Sequence, residues 1–344
     1  MSKFRAAVIA ITLTIMFFVP VSAIKQASAY PDESESQTQN ESSESEPQEG
    51  KIPENEPAET EEKAEGVFRI YDLENEKILE VSYSDYVKGA IASEMGADFE
   101  FEALVAQGVA AFSCGLYQKE AHFAADYDFS AAPDKKLGYM TEEKAKEVYG
   151  EAFEEKWGII SSAAEKAMQY ILTYESEPAL AVYHAVSAGM TESSENAWGG
   201  EIPYLVSVES EGDALCSGYE TTVEVSRESA LEILNKNGAG LSGAVPEEWF
   251  EGAVLTDAGY VDYIQIGAAT FSGERLRSLF GLRSTAFDVS YKGGEFVFTV
   301  RGYGHGVGLS QVGANYMAEN GAAFEEILAH YYPGTVLSDY GDIY

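Results

Sequence analysis

The stretch IASEMGADF, residues 91–99, organises the rest of this chain. One helix is predicted before it, starting near residue 84, and a second over residues 101–121, where apolar residues recur at steps of three and four. Between the two, Glu94 has small and apolar neighbours, a setting that raises the pKa of a carboxyl group and suits a general acid. A solvated glutamate at a helix end is the alternative interpretation, so the residues alone leave the role of Glu94 open.

Outside this stretch, helical and alternating patterns follow each other without a regular order or an internal repeat. The predicted strands include residues 66–71, 179–183, 204–208 and 295–300, and the predicted helices include 101–121, 227–236, 310–320 and 324–332. This irregular mixture predicts the α+β class, with helices and mostly antiparallel strands in one large domain that leaves room for a smaller inserted lobe.

The N-terminus has the composition of an export segment. Lys3 and Arg5 precede an apolar run over residues 6–24, and residues 27–29 (ASA) have the small side chains of a cleavage site. The run is about as long as the roughly 20 residues that span a bilayer, so residues 1–29 are predicted to be either a cleaved signal peptide or a retained membrane anchor. In both cases the positive charges before the run place the folded part outside the cytoplasm.

A strongly acidic segment follows the export segment. Residues 31–65 contain 13 acidic residues against two lysines and lack aromatic side chains, so residues 30–65 are predicted to be a disordered linker. The whole chain has a net charge of -36; this linker contributes -11 and residues 1–30 contribute +3, which leaves -28 for the predicted domain, residues 66–344. Such a surface repels phosphates, and this excludes nucleic acid as a partner.

The two cysteines, Cys114 and Cys216, do not predict a metal site. No CxxC pair or Cys/His cluster occurs, so the sequence has no ligand set for zinc, and we expect neither a metal nor a cofactor. Two thiols are the favoured state of these cysteines, while a single disulfide between them stays open.

A glycine-rich loop, residues 302–308, is the second candidate for a site. It has four glycines in seven residues and contains His305, between a predicted strand and a predicted helix. Glycine is needed where the backbone approaches a ligand closely, but a tight structural turn would explain the loop equally well. A phosphate loop is disfavoured because no Lys-Ser/Thr follows, and a hydrolase pairing of Ser310 with His305 is disfavoured because no G-x-S-x-G motif occurs.

His184, at the end of a predicted strand, is equally open to a binding or a structural role.

Four separated blocks of the chain, residues 86–111, 184–205, 271–314 and 330–335, together resemble the stage II sporulation protein D family. They contain the motifs YVKG, ASEM, GYGHGVGLSQVGA and HYYPGT, in the order that the family has them. The likeness covers roughly residues 66–340, and four ordered blocks make a more specific signal than any one motif.

The resemblance implies a peptidoglycan lytic transglycosylase that acts during engulfment in sporulation. It would cleave the bond between N-acetylmuramic acid and N-acetylglucosamine in peptide-stripped glycan strands and leave 1,6-anhydro ends. The glutamate that matches Glu94 would protonate the bridging oxygen and then, as the conjugate base, help the muramic 6-hydroxyl attack C1. One carboxyl group in two protonation states suffices for this reaction, whereas hydrolytic glycosidases use a pair.

The same resemblance implies which residues line or shape the sugar groove, and which partners to expect. The groove residues would be His184, Ser187, Thr191, Glu192, Tyr303, His305, Ser310 and Gln311. The partners would be glycan strands, a cell-wall amidase and a membrane scaffold of the engulfment machinery.

Several positions depart from the family pattern. Val105 and Phe112 stand where the family usually has a lysine and an arginine, and Gly96 stands where a proline usually follows Glu-Met. The zinc site of some relatives has no counterpart, since residues 120–140 contain His122 but no cysteine. The lost cations favour a non-enzymatic, glycan-binding enhancer of a cell-wall amidase, and the acidic surface and linker also fit a purely structural wall-binding protein; both alternatives stay open.

Overall fold

The described residues combine helices with small, mostly antiparallel sheets, and they confirm the predicted α+β class. The computed structural model describes residues 66–135, 138–242 and 245–344; the predicted export segment and acidic linker, residues 1–29 and 30–65, lie outside them. Within these described ranges, none of the helices is both long enough and apolar enough to cross a bilayer.

The elements follow one another in mixed order along the chain. The strands are β1 (Val67–Asp72), β2 (Lys77–Ser82), β3 (Phe129–Ala131), β4 (Tyr170–Tyr174), β5 (Glu177–Pro178), β6 (Tyr183–His184), β7 (Glu220–Ser226), β8 (Val254–Leu255), β9 (Val261–Ile266), β10 (Ala269–Ser272), β11 (Ala286–Lys292), β12 (Glu295–Arg301), β13 (Leu309–Ser310) and β14 (Val336–Asp339). The α-helices are α1 (Tyr83–Glu94), α2 (Phe101–Ala121), α3 (Glu142–Tyr149), α4 (Phe153–Ala167), α5 (Ser194–Trp198), α6 (Arg227–Lys236), α7 (Gly273–Phe280), α8 (Gln311–Glu319), α9 (Phe324–Tyr331) and α10 (Tyr340–Ile343).

Helix α2 is the centre of the main hydrophobic core. Every residue from Ala103 to Ser113 is buried, because α1, α4, α8, α9 and β4 pack around it. The sequence predicted a single apolar face, but a helix that is apolar all round belongs inside a protein, and this is where α2 lies. Gly108 permits the close packing, since a Cβ at this position would come within 2.7 Å of the Ala167 Cβ.

A second, smaller core forms the inserted lobe. Strands β11, β12 and β7 form one antiparallel sheet, in which Arg301 lies opposite Glu220. The interior is apolar and contains a stacked pair, Trp249 and Phe296, with ring centroids 5.2 Å apart. The lobe closes where the chain re-enters the main body, at the N–H of Gly302, which donates to the carbonyl of residue 219 over 2.8 Å.

Two short parallel strands bring distant parts of the main body together. Strands β6 and β13 pair so that His184 lies opposite Ser310. Helix α8 begins directly after β13, at Gln311, and packs on α2, which also packs against α1. The end of α1 and the start of α8 therefore meet on α2, although 217 residues separate Glu94 from Gln311.

Two predicted strands are wrong. Of residues 179–183, only the last lies in a strand, since the Leu180 N–H donates to a side chain, the hydroxyl of Tyr204, over 2.7 Å. Residues 204–208 form no strand, because the Thr191 hydroxyl accepts the N–H of their last residue over 2.9 Å. In both segments a side chain replaces the neighbouring strand that a ladder would need.

Candidate active site

Glu94 is the last residue of α1, where the chain turns towards α2. The N–H groups of Met95 and Gly96 both donate to the Ile91 carbonyl, each over 3.0 Å. Gly96 makes this turn with a φ of 81°, which a proline cannot adopt, since its ring fixes φ at about -65° and removes the N–H donor. This backbone conformation therefore explains why the chain has a glycine at position 96, where the family usually has a proline.

The carboxyl group of Glu94 is enclosed by the protein. The residue is 1% exposed, its Oε1 accepts the Gly138 N–H over 3.0 Å, and its Oε2 accepts a longer bond of 3.5 Å from Gln311 Nε2. Burial raises the pKa of Glu94 to about 7, and the two hydrogen bonds, neither of them from a cation, offset only part of that rise. Near neutral pH the carboxyl group is therefore able both to give up and to take back a proton.

Neutral side chains surround this carboxyl group. Gln311 Nε2 also donates to Gln107 Oε1 over 3.2 Å, so that two buried amides lie beside Glu94. Burial raises the pKa of Tyr86 and of Tyr183, and the charge of Glu94 is a further cause in both. Both phenols keep their protons, and the acid stands among uncharged groups.

Two histidines lie close together, His184 at the end of β6 and His305 in the glycine-rich loop. His184 is buried, and its Nδ1 donates to the Val307 carbonyl over 3.1 Å. The His305 ring lies 5.7 Å from the His184 ring and 5.4 Å from the Trp198 ring, between centroids. Burial lowers the pKa of His184 to about 4, and burial followed by the charge of His184 lowers the pKa of His305. Both imidazoles are neutral at physiological pH, so they are able to pack and to hydrogen-bond but not to supply a positive charge.

Ser187 and Ser310 are joined by a residue that the sequence did not single out, Asp213. Its Oδ2 accepts the Ser187 N–H over 2.8 Å, and its Oδ1 accepts the Ser310 hydroxyl over 2.7 Å. Ser310 also caps α8 by accepting the Gly313 N–H over 3.3 Å. Burial raises the pKa of Asp213. The Ser310 hydroxyl thus donates to a carboxyl group and anchors a helix, which differs from the pairing with His305 considered above.

Three further predicted residues, Thr191, Glu192 and Tyr303, take part in contacts within the protein. The Thr191 hydroxyl bonds the backbone of the 206–208 segment. Glu192 accepts the Thr256 hydroxyl over 2.5 Å and so ties the main body to the inserted lobe. Tyr303 is buried beneath a guanidinium group of the lobe, 4.4 Å from its ring centroid. Of the eight residues predicted to line the groove, Gln311 is the one whose hydrogen bond reaches Glu94; a role of the others in binding stays a prediction.

Sequence patterns offered a signal for only one of the missed residues. Gln107 is a polar residue inside an otherwise apolar run of α2, and a polar residue in such a run needs a partner or a function. Gly138 contributes only its backbone N–H, and Asp213 lies in a short 3₁₀ helix, Glu211–Leu215, with another acidic residue. The roles of Gly138 and Asp213 depend on contacts with residues far away in the sequence, and no local sequence pattern predicts such contacts.

The two positions that lack the family's cations lie inside the core. Val105 and Phe112 are both fully buried. The Phe112 ring packs against Tyr83, at 5.4 Å between centroids, and against Tyr340, at 5.1 Å. Apolar packing therefore occupies this face of α2, and neither side chain is available to a carboxylate ligand in this conformation.

The cysteines are free thiols. Cys114 and Cys216 are both unpaired and partly buried, so the disulfide that the sequence left open is not formed. Burial raises the pKa of the Cys114 thiol to about 12. Among the residues that the structure describes, no group of three or more His, Cys, Asp or Glu side chains is arranged to hold a metal ion.

Comparison with known proteins assigns the chain to a family. The family model described as Stage II sporulation protein matches residues 71–174. Stage II sporulation protein D of Bacillus subtilis (strain 168) is 34% identical over 274 residues, and that of Bacillus amyloliquefaciens is 33% identical over 273 residues, with 78% of each chain covered in both comparisons. The amidase enhancer of Bacillus subtilis (strain 168) is 25% identical over 304 residues, which is 74% of this chain and 40% of that protein. The chain therefore belongs to the stage II sporulation protein D family.

Proposed function

We propose that this protein is a peptidoglycan lytic transglycosylase that acts on the cell wall in sporulation, with Glu94 as its single catalytic residue. The observation that carries the proposal is one enclosed carboxyl group whose pKa is raised to about 7 by burial. A group that must serve as both acid and base works best when its pKa lies near the working pH. The family of the chain supports a role at the cell wall, and the predicted export segment, residues 1–29, would bring the domain there.

The reaction requires one proton to leave Glu94 and one to return. Protonated Glu94 gives its proton to the oxygen between the two sugars as the bond from that oxygen to muramic C1 breaks. The resulting carboxylate then accepts the proton of the muramic 6-hydroxyl while O6 forms its bond to C1. The products are a 1,6-anhydromuramic end and a free hydroxyl on N-acetylglucosamine; no water is consumed, and Glu94 is protonated again.

The surroundings of Glu94 support both halves of this cycle. Burial favours the protonated acid, while the hydrogen bonds from Gly138 and Gln311 favour the carboxylate. Because Glu94 is 1% exposed, groups that cover its carboxyl group must move before a glycosidic oxygen reaches it. We propose that the Gly138 N–H is one of them, and its departure removes a contact that lowers the pKa of Glu94, which favours the protonated acid.

A glycan-binding enhancer of a cell-wall amidase is the second candidate function. Two observations favour it: the similarity to a protein named amidase enhancer, and the burial of Val105 and Phe112 where the family usually has cations. Glu94 favours the enzyme, because a binding module does not need a carboxyl group with a pKa near neutrality. The two functions differ in their product, since only the enzyme generates anhydro ends.

The decisive experiment is to incubate the purified protein with peptide-free glycan strands and to identify the products by mass spectrometry. We expect 1,6-anhydro ends from the wild type and none from Glu94→Gln, because an amide cannot transfer the proton. Glu102→Gln is the matched control: it removes a partly exposed carboxyl group on α2 that pairs with Lys166, and it is expected to keep the activity. Intact strands with a well-folded wild type, together with faster hydrolysis by an added cell-wall amidase, would support the enhancer instead.

A further inference from the structure

Two amide atoms beside Glu94 have no hydrogen-bond partner among the described residues. They are Nε2 of Gln107 and Oε1 of Gln311. Gln107 is 0% exposed and Gln311 is 1% exposed, so protein encloses both side chains. Buried polar atoms are nearly always paired in folded proteins, and each exception needs an explanation such as a ligand or a trapped water.

The two unpaired atoms have opposite hydrogen-bonding character. The bond from Gln311 Nε2 to Gln107 Oε1, at 3.2 Å, uses the donor of one amide and the acceptor of the other. It leaves a donor on Gln107 and an acceptor on Gln311. A ligand that satisfies both atoms must itself offer one acceptor and one donor close together, and a secondary amide does so with its C=O and N–H.

Any substrate that reaches Glu94 also comes close to this amide pair. Gln311 Nε2 lies 3.5 Å from Glu94 Oε2, so a sugar bound at the carboxyl group is next to Gln311 as well. In the sugar whose C1 is attacked, the acetamido group is attached to C2, the carbon bonded directly to C1. The proposed chemistry therefore brings a secondary amide to the place where a donor and an acceptor are free.

We propose that Gln107 and Gln311 recognise the acetamido group of the muramic sugar that is cleaved. The acetamido N–H donates to Gln311 Oε1, and its carbonyl accepts from Gln107 Nε2. This inference rests on the proposed function and adds to it a requirement for N-acetylated glycan. A site built from buried donors and acceptors rejects a sugar that lacks the amide, because the protein groups would then stay buried and unpaired.

The test compares the affinity of the full chain for peptide-free glycan strands in three forms: N-acetylated, chemically N-deacetylated, and re-acetylated. Calorimetry at about pH 9, two pH units above the pKa of Glu94, leaves about 1% of this group protonated and so slows cleavage about a hundredfold. We expect the acetylated and re-acetylated strands to bind at least about tenfold more tightly than the deacetylated strand. Equal affinity for the three forms would overturn the proposal, as would binding of none of them; equal affinity is also what a trapped water at the amide pair predicts.

Substitutions at Gln107, one member of the amide pair, provide a second test of the proposal. Gln107→Leu and Gln107→Glu both remove the Nε2 donor, and both are expected to abolish the preference for acetylated strands. Gln118→Leu is the matched control, because Gln118 is a buried glutamine of the same helix that instead bonds Cys114, and it is expected to keep the preference. If the Gln107 variants do not fold, the comparison of the three strands with the wild type still decides the question.

The proposed function and this inference fail in different ways. A preference for acetylated strands without anhydro products would refute the lyase and leave the amide site standing as part of a glycan-binding protein. Anhydro products formed at the same rate from acetylated and deacetylated strands would leave the enzyme standing and overturn the amide site.

Discussion

At the scale of single residues, Glu94 shows how burial in a folded protein raises the pKa of a carboxyl group. Its pKa moves from 4.5 to about 7 because burial penalises the charged form more than two hydrogen bonds favour it. The contacts come from separate parts of the chain: the Gly138 N–H after β3 and the Gln311 amide at the start of α8. The increase in the proton affinity of Glu94 therefore belongs to the folded structure and is lost on unfolding.

Because folding raises the pKa of Glu94, the stability of the protein is expected to depend on pH. The folded pKa of Glu94, about 7, lies above its unfolded value of 4.5, so the folded state holds an extra proton between these two values. The stability from Glu94 is complete below about pH 4.5 and falls by about 3 kcal/mol as the pH rises through 7. Glu94→Gln lacks this loss, so we expect it to unfold at higher urea concentration than the wild type at pH 8.

The difference between the two proteins isolates Glu94 from other buried groups such as Asp213, which titrate in both. Urea unfolding at pH 5 and at pH 8 supplies the measurement. If the difference in unfolding free energy between Glu94→Gln and the wild type is the same at both pH values, Glu94 does not have the raised pKa proposed here.

How far sequence predicts a residue's role depends on where its partners lie. Small and apolar neighbours in residues 91–99 correctly indicated that Glu94 sits in a setting that raises its pKa. The partners Gly138 and Gln311 could not be found from local pattern, because they lie 44 and 217 residues away along the chain. Asp213 was missed for the same reason: its partner Ser310 is 97 residues away.

At the scale of secondary-structure elements, α2 carries the core, and its two unusual positions have consequences for engineering. Val105 and Phe112 are fully buried among apolar neighbours. Restoring the family's lysine by Val105→Lys would bury an unpaired cation, so we expect it to destabilise the protein by at least about 3 kcal/mol rather than to improve glycan binding. Chemical denaturation measures the change.

The control for this prediction is Ile159→Lys, which introduces the same charge on α4 at a side chain that is already 37% exposed. We expect it to change stability by less than about 0.5 kcal/mol. A Val105→Lys protein as stable as this control would mean that position 105 opens to solvent or to glycan, and that the packing described for α2 is wrong.

The start of α8 provides a second prediction at this scale. Asp213 accepts hydrogen bonds from the Ser187 backbone and the Ser310 hydroxyl, so it fixes both the helix that carries Gln311 and the segment after β6. Asp213→Ala leaves both donors unpaired and is expected to cost about 2 to 4 kcal/mol of stability. Ser310→Ala removes one of these bonds and the helix cap and should cost less, about 1 to 2 kcal/mol. Thermal or urea unfolding that ranks the two variants in the opposite order would contradict the role given to Asp213.

Element prediction from sequence succeeded where local signals decide the outcome. The helix at residues 227–236 was predicted with the observed bounds, because a serine cap and an amphipathic pattern mark it. The segments 179–183 and 204–208 have the composition of strands, but their backbone groups bond side chains and other loops. Helix α2 was predicted to have one apolar face, and the burial of all residues from Ala103 to Ser113 could not be predicted because it depends on helices that follow later in the chain.

At the scale of the whole molecule, we expect net charge to govern the encounter with the proposed glycan substrate. Residues 66–344 carry a net charge of -28, and peptide-stripped strands carry the carboxylates of muramic acid. Raising the ionic strength from about 0.01 M to about 0.15 M shortens the Debye length from about 30 Å to about 8 Å. We therefore expect the affinity of Glu94→Gln for glycan strands to rise over this range, as measured by calorimetry.

A fall in affinity with added salt would contradict this expectation. It would show that a local cationic surface, and not the net charge, dominates the electrostatics of binding. Phosphocellulose serves as the control ligand, because it is an anionic polymer without acetamido groups. Any binding to it should also strengthen as salt is added, but without a contribution from the amide pair.

The pH dependence of anhydro-end formation tests the central claim, that Glu94 is one carboxyl group acting first as acid and then as base, most directly. Initial rates at low concentrations of peptide-free glycan give kcat/KM, which reports the free enzyme. Because the first step needs protonated Glu94, we predict a single descending limb as the pH rises, with an apparent pKa near 7, and no product from Glu94→Gln at any pH. Anhydro ends formed by Glu94→Gln, or a wild-type rate that does not fall between pH 6 and pH 9, would contradict the account.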